Sequence, residues 1–352
     1  MISVIMPTYN KASFLNLTLA SFVHQTSKQF ELIIIDDGSS DDTEHIVQSY
    51  KNKLNLLYMK QPNLGRSQAR NAGIMASSGT FLVFNDDDRI VRDNFIAEHT
   101  KVLMNDNDAM VIGGKGRVLT VWQKNKLPLR RNDKNILSER FGDEWQTISK
   151  SKYVELIRTD DLECNFEATI NKIFLGNEFD TGHTLGVTID QIPDFRLAWL
   201  IGTTANLSVR KDAVVDVGLF DVAFKGWGME DTDLCYRLHM HGLKVKEYSS
   251  AYNYHQIHPI GLRWFNSTIS MTRFNDLRKN ILYFHKKTKS PSSFVYYKSF
   301  IYNIPTITAN EIFIQFENAL EKNPIPYSEW GKLLRTIMKN RHRNTAFMEK
   351  NG

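Results

Sequence analysis

Phe81-Leu82-Val83-Phe84-Asn85-Asp86-Asp87-Asp88 sets four apolar β-formers directly ahead of three consecutive carboxylates. The apolar run reads as a buried strand. Three like charges cannot sit inside a strand, so the acids belong on the loop at its carboxyl end, where open α/β sheets bind ligands. Close anions repel unless a cation or a set of donors neutralises them. A hard divalent metal, held through one or two carboxylates and substrate phosphates, meets that need. The bland reading is a solvated acidic turn, and the surrounding chain decides between the two.

Upstream, strands and helices alternate. Ile2-Ser3-Val4-Ile5-Met6 is a β-rich run stopped by Pro7, and Phe14, Leu15, Leu19, Phe22 and Val23 follow at helical spacing. Phe30-Glu31-Leu32-Ile33-Ile34-Ile35 is nearly continuous in apolar character, as expected of a parallel strand covered on both faces. Asp41 with Glu44 opens a helix, residues 54–59 form a third strand, and residues 67–77 form a helix before Gly79. Four such alternations define an α/β layer structure with a mainly parallel sheet. Its polar loops (7–10, 36–39 and 85–88) should converge on one crevice.

No G-x-G-x-x-G follows the first strand and no G-x-x-x-x-G-K-[ST] occurs, which argues against a nicotinamide dehydrogenase and a P-loop nucleotidase. Side chains and metal must then hold any nucleotide. Asp37 can accept from a base N–H, and Arg66 or Arg70 can meet phosphate.

Whole-chain properties set outer bounds. The 352 residues are 42% hydrophobic and 24% charged, an ordinary globular composition. A net charge of +5 suits an anionic ligand or membrane surface but is too small to argue for nucleic acid. Cys164 and Cys235 form no CxxC pair, so neither a disulfide framework nor a zinc site is expected. No run approaches the ~18 apolar residues of a spanning helix. The expectation is a soluble, cytoplasmic protein, with peripheral contact to the inner face of a membrane allowed.

Four segments together resemble the family 2 glycosyltransferases, GT-A enzymes that use nucleotide-activated sugars. They are Val4-Ile5-Met6-Pro7-Thr8-Tyr9-Asn10, Ile35-Asp36-Asp37-Gly38-Ser39-Ser40-Asp41-Asp42-Thr43, Asn63-Leu64-Gly65-Arg66 continuing to Ala69-Arg70-Asn71-Ala72-Gly73, and Phe84-Asn85-Asp86-Asp87-Asp88. The last looks like the family's D-x-D, with Asp87 filling the variable position. The resemblance implies that Pro7, Thr8 and Tyr9 line base and ribose, that Asp37 reads a uracil-type edge, and that Arg70 and Asn71 flank the nucleotide. Asp86 would face ribose and sugar. Asp88 would bind a divalent metal, Mn2+ or Mg2+, bridging the diphosphate. Arg70 has a duller alternative, an ion pair to a neighbouring Asp.

Further on, Gly113-Gly114-Lys115-Gly116 reads as a turn, and residues 122–199 show poor periodicity. Long irregular segments are usually lids or binding loops; this one either shapes the acceptor site or is a packed insertion with some helix. Gly226-Trp227-Gly228-Met229-Glu230-Asp231 opens a helix whose Leu234 and Leu238 share a face. Glycines around an indole suggest close backbone approach and a stacking platform for a sugar. Asp233 could simply answer the helix dipole. The stretch resembles the W-G-x-E-D segment of inverting GT-A enzymes. On that likeness Asp231 is the general base and Glu230 hydrogen-bonds acceptor or donor sugar. By the same likeness His255, or secondarily His258, completes the metal site.

From residue 264 onward helical spacing dominates, with Met271, Phe274, Leu277, Ile281 and Phe284 on one face and helix again over 294–320 and 330–338, punctuated by Pro305, Pro324 and Pro326. These basic helices could touch anionic lipid, mediate a homodimer, or pack on the catalytic part. Processive synthases of the wider family carry Q-x-x-R-W; here Arg263-Trp264 is preceded by Ile260, so polymerisation is not expected.

The expectation is thus a GT-A catalytic domain over 1–260 and a C-terminal helical region over 261–352. Within the first, 1–105 binds nucleotide, 115–200 is the irregular region and 200–260 carries the base. The expected activity is metal-dependent, inverting transfer of one sugar from a UDP-sugar to an acceptor such as a cell-surface glycan, lipid-linked saccharide, peptide or natural product. A sugar-1-phosphate nucleotidyltransferase competes, but it needs a glycine-rich basic loop where Pro7-Thr8-Tyr9-Asn10 stands. A non-catalytic sugar-nucleotide-binding subunit predicts decay of acids that are all present.

Overall fold

The computed structural model of the protein describes residues 1–178, 189–192, 194–258 and 267–351. In chain order the elements begin with β1 (Ile2–Thr8), α1 (Ala12–Val23), β2 (Phe30–Asp36), α2 (Thr43–Ser49), β3 (Leu56–Lys60), α3 (Arg66–Ala76) and β4 (Phe81–Asn85). Next come β5 (Arg89–Val91), α4 (Phe95–Asn105), β6 (Ala109–Val118), β7 (Val121–Gln123), α5 (Arg131–Phe141), α6 (Glu144–Lys150), β8 (Tyr153–Glu155), α7 (Thr159–Ile173) and β9 (Phe174–Asn177). The last part holds β10 (Asn206–Arg210), α8 (Lys211–Asp216), α9 (Glu230–Met240), β11 (Lys244–Gln256), α10 (Ser267–Thr288), α11 (Pro291–Ile301), α12 (Thr306–Lys322) and α13 (Trp330–Asn351).

The main sheet runs β3-β2-β1-β4-β10-β6-β11-β5, with β9 added to β6. Strands β1 to β4 pair in parallel, and β10 enters antiparallel between β4 and β6. Strand period explains the continuous apolar runs. Val4, Leu32, Ile34 and Val83 enter one core beneath α1, α4 and α7, while Ile5, Ile33, Ile35, Leu82 and Phe84 enter the other. Alternate residues thus serve opposite layers, and every one of them is buried.

One expectation changes and two are sharpened. Gly113, Gly114 and Gly116 lie inside β6 rather than in a turn. A Cβ at Gly113 would overlap the Asn206 amide, and one at Gly114 would overlap the Tyr252 ring, so glycine is there for close approach. Residues 122–177 are mostly helical and packed: Leu137, Phe141, Ile148, Leu162 and Ile173 join the first core. The helical stretch over 294–320 is two helices, broken as its punctuation implies, where Asn303 takes φ 51° ahead of Pro305.

The C-terminal helices pack into the second core. Ile281, Phe284, Val295, Ile312 and Phe316 share the second core with Trp199, Leu234 and Leu238. Trp199 sits at its centre, 5.1 Å from the Tyr236 ring and 5.6 Å from Phe284. Among the described residues no helix is long and apolar enough to cross a membrane. Ile260, Arg263 and Trp264 lie outside the described residues.

A buried polar layer supports the sheet beneath the acidic loop. Asn206 donates to the carbonyls of Gly114 and Ala251, and its Oδ1 faces His99 Nε2 at 2.9 Å. Burial pushes the His99 imidazole down to about 4 from its usual 6.5, against the Asn206 bond that raises it. The folded protein keeps this ring neutral, whereas the unfolded chain takes up a proton below pH 6.5. Stability from this group is therefore complete above 6.5 and is lost as pH falls towards 4. Urea unfolding of wild type and His99→Gln at pH 7 and pH 5 should show their difference shrinking by about 2 kcal/mol; parallel behaviour would remove His99 as the cause.

Candidate active site

The loops after β1, β2 and β4 meet in one crevice of about 1570 Å³, lined by Pro7, Thr8, Tyr9, Asp37, Arg66 and Arg70 on one side and Glu230, Asp231 and Trp227 on the other. Backbone donors fix the second of these loops. The Asp36 carboxylate accepts from Ser39 N at 2.7 Å and from the Tyr58 hydroxyl at 2.6 Å. Asp37 accepts from Gln61 Nε2, Leu64 N and Gly65 N at 2.7–2.9 Å. Three of its roughly four lone-pair sites are thus used, leaving one towards the crevice. Asn10 ties the first loop to the second, its N–H donating to Ser39 Oγ and its Oδ1 accepting from Ser40 N.

The three aspartates have three environments. Asp86 lies 3.3 Å from Arg70 and 3.6 Å from Arg89. Asp87 is buried, and burial pushes its carboxyl up to about 7, against the Lys11 ammonium 3.8 Å away. Asp88 is also buried, but Lys11, His258 and His255 outweigh burial and hold it well below the usual carboxylate range. Its Oδ2 contacts Lys11 Nζ and lies 2.6 Å from His258 Nε2 and 3.9 Å from His255 Nε2.

Strand register delivers the histidines. In the β5–β11 ladder His255 sits opposite Arg89, one residue past Asp88, and Gln256 N donates to the Asp88 carbonyl. Ligating atoms of Asp88, His255 and His258 all lie within 4.8 Å of one another. His255 Nδ1 is 3.0 Å from Glu178, whose carboxylate is also 2.8 Å from Arg89. Burial would raise Glu178, but Arg89 and His255 pull it far below its usual range. A carboxylate on Nδ1 leaves Nε2 facing the cluster, as a carboxylate behind the ring commonly does for metal-binding histidines. One carboxylate and two imidazoles fit a divalent cation, and both histidines, not His255 alone, are in place.

The opposite wall is the amino end of α9. Gly226 and Gly228 take φ +73° and +90°, and Met229 is itself left-handed at φ 80°. A Cβ at Gly226 would collide with the Asp276 carboxylate of α10. Asn280, also on α10, donates to the carbonyls of Lys225 and Gly228, fixing the loop from behind. Trp227 stays 40% exposed in the crevice with the Arg273 guanidinium 6.0 Å from its ring. Asp231 accepts from Thr204 N at 3.2 Å and Thr204 Oγ1 at 2.8 Å. Glu230 is buried 3.4 Å from Arg66 and 3.6 Å from Arg70; burial, then Asp231, raises its pKa. Asp233 is not a cap: Arg237 and Lys287 pair with it, joining α9 to α10.

Two expected nucleotide neighbours are used structurally. The buried Arg70 guanidinium is ion-paired to Asp86, Glu230 and Asp231. Asn71 exchanges two hydrogen bonds with the backbone of Phe220 and so anchors the chain ahead of α9. Lys11, Glu178 and Thr204 are site residues that motif reading passes over. Lys11 alone carried a local signal, standing next to the Pro7-Thr8-Tyr9-Asn10 loop. Within 115–200, Glu178 and Leu200 are the described residues that reach the crevice, whereas Arg273, Phe274, Leu277 and Phe300 of α10 and α11 line it.

The sheet order, the antiparallel β10 and the loops converging at the strand ends define the GT-A glycosyltransferase fold. Residues 3–175 match the family model described as glycosyl transferase family 2, and residues 192–259 match one described as the N-terminal domain of galactosyltransferase. The chain belongs to the family 2 glycosyltransferases. It is 28% identical over 330 residues to the uncharacterized glycosyltransferase YfnE of Bacillus subtilis, covering 91% of this chain and 78% of that protein. It spans 25–53% of the length of the next curated relatives it matches. Among solved structures, S. aureus TarS 1-349 in complex with UDP-GlcNAc superposes with a TM-score of 0.53 at 16% identity, over 86% of this chain and 73% of that one. A mannosyltransferase from Pyrobaculum calidifontis, in complex with GDP-Man and Mn2+, superposes with a TM-score of 0.51 at 14% identity, over 98% of this chain and 86% of that one.

Proposed function

We propose that this protein transfers one sugar, with inversion, from a UDP-sugar to an acceptor hydroxyl, using a divalent cation held by Asp88, His255 and His258. Residues 1–260 supply the catalytic machinery and 261–352 wall the acceptor side. The observation that carries the reading is the Arg70 guanidinium, which joins Asp86 on the donor loop to Asp231 on the base helix beside the cation cluster. Both halves of a displacement site then face one crevice.

A cation there supplies charge that stabilises the departing diphosphate. The mixed carboxylate and imidazole set suits Mn2+ better than the oxygen-seeking Mg2+. Pro7, Thr8 and Tyr9 flank the base, which Asp37 meets with its remaining lone pair, and Asp86 faces ribose and sugar. Trp227 offers its exposed face to a sugar ring. As the acceptor oxygen bonds to the anomeric carbon and the carbon–diphosphate oxygen bond breaks, Asp231 takes the acceptor's proton. Thr204 orients that carboxylate, and Glu230 holds Arg66 and Arg70 in register.

A panel of UDP-sugars, with GDP-mannose as the competing base, tests donor choice through slow hydrolysis without acceptor. Expected is Mn2+-dependent release of UDP from one or a few UDP-sugars, and UDP binding by calorimetry that weakens about tenfold or more on chelation. UDP binding indifferent to chelation would overturn the cation assignment.

A further inference from the structure

An ammonium of the chain itself lies against two of the three residues of the candidate cation cluster. Lys11 projects from the start of α1 into the acidic pocket, in contact with the Asp88 carboxylate, 3.0 Å from His258 Nε2 and 3.8 Å from Asp87 Oδ1. Asp88 and His258 are two members of the three-residue cation cluster. An ammonium and a divalent ion compete for those residues, because like charges in contact repel strongly. Lys11 is nonetheless free to leave. Its side chain is one-third exposed, lines the crevice, and hangs on a flexible four-carbon stem.

We propose that Lys11 is a displaceable internal cation, which occupies the ion's position in the donor-free enzyme and yields it when a nucleotide diphosphate enters. The inference rests on the reading that Asp88, His255 and His258 hold a divalent ion. A displaced ammonium needs a new anion, and the donor's diphosphate is the anion that site admits. Ion and nucleotide then bind cooperatively, each tightening the other by the same factor. Without an ion, Lys11 also brings a positive charge to two buried carboxylates, Asp87 and Asp88. It is a positioning residue that couples the two ligands.

The test is a Mn2+ titration, followed by loss of the free-ion paramagnetic resonance signal, on wild type, Lys11→Met and Lys11→Arg, with and without UDP. Lys11→Met should bind Mn2+ alone about tenfold or more tighter than wild type, because a competing charge is gone. UDP should then raise its Mn2+ affinity by a smaller factor than in wild type. Lys11→Arg keeps the charge and should stay near wild type. Melting temperature gives a second readout: Mn2+ alone should stabilise Lys11→Met more than wild type. Lys11→Gln replaces Lys11→Met if the latter fails to fold. Equal or weaker binding of Mn2+ alone by the neutral variants, with UDP-dependent Mn2+ binding retained, would overturn the role of Lys11 and leave the cation site standing. Absence of Mn2+ binding in every protein, even with UDP, would overturn both.

Discussion

Asp231→Asn should lower transfer by about 10²–10⁴-fold, the span a positioned general base contributes, while leaving UDP and Mn2+ affinities within a small factor of wild type. The amide keeps the size of the side chain and can still accept from Thr204, so the amino end of α9 stays in place. What it loses is the capacity to take a proton. The Asp88, His255 and His258 cluster comes from the ends of β4 and β11, and Asp231 is tied to the acidic loop through Arg70, which also pairs with Asp86. Binding and chemistry should therefore separate. The check is a pair of measurements on one preparation: calorimetric UDP binding with Mn2+, and initial rates with the donor found by the hydrolysis panel. A variant that loses both together would show that Asp231 shapes the donor site instead of acting on the acceptor.

The convergence of the strand-end loops on one crevice is legible in the sequence because each part of it is local. Asp36-Asp37-Gly38, Asn63-Leu64-Gly65-Arg66 and Asn85-Asp86-Asp87-Asp88 each stand at the end of a strand or the start of a helix, and a parallel sheet brings such ends together without further information. Partners set by pairing across the fold are hidden. Arg70 and Asp231 are separated by 161 positions, and their contact depends on β10 running antiparallel beside β4, which puts Thr203 and Thr204 next to the acidic loop. Glu178 follows β9 in a stretch of weak periodicity, and only the β6–β9 pairing carries it to His255. The glycines of β6 mislead for another reason. Turn formation is the usual use of clustered glycine, but here the missing side chains make room for Asn206 and Tyr252. The weak periodicity of 122–199 leaves a binding loop and a packed insertion equally open, and it is the amphipathic helices after residue 266 that line more of the crevice.

The second large effect concerns Arg70, and it should appear in stability before it appears in binding. Its guanidinium is buried among Asp86, Glu230 and Asp231, each 3.3–3.6 Å away, and its charge is held firmly by those acids against the cost of burial. Removing one member of a buried ionic cluster leaves uncompensated charge, at about 3–5 kcal/mol. Arg70→Met should therefore cost about that much in urea unfolding, and transfer should be lost with it because Asp86 and Asp231 no longer share a tether. The strain falls mainly on Glu230, the most buried of the three acids, already pushed towards its neutral form by burial and by Asp231. Arg70→Met combined with Glu230→Gln should recover a large part of the stability, a non-additivity expected of contacting charges. A residue that served chiefly to grip the nucleotide's phosphates would behave differently. Its loss would raise the Kd for UDP with little change in unfolding, and the Glu230→Gln background would restore nothing. The double-mutant cycle thus decides between a bridge that holds the two halves of the site together and a ligand-binding arginine that happens to rest on acids.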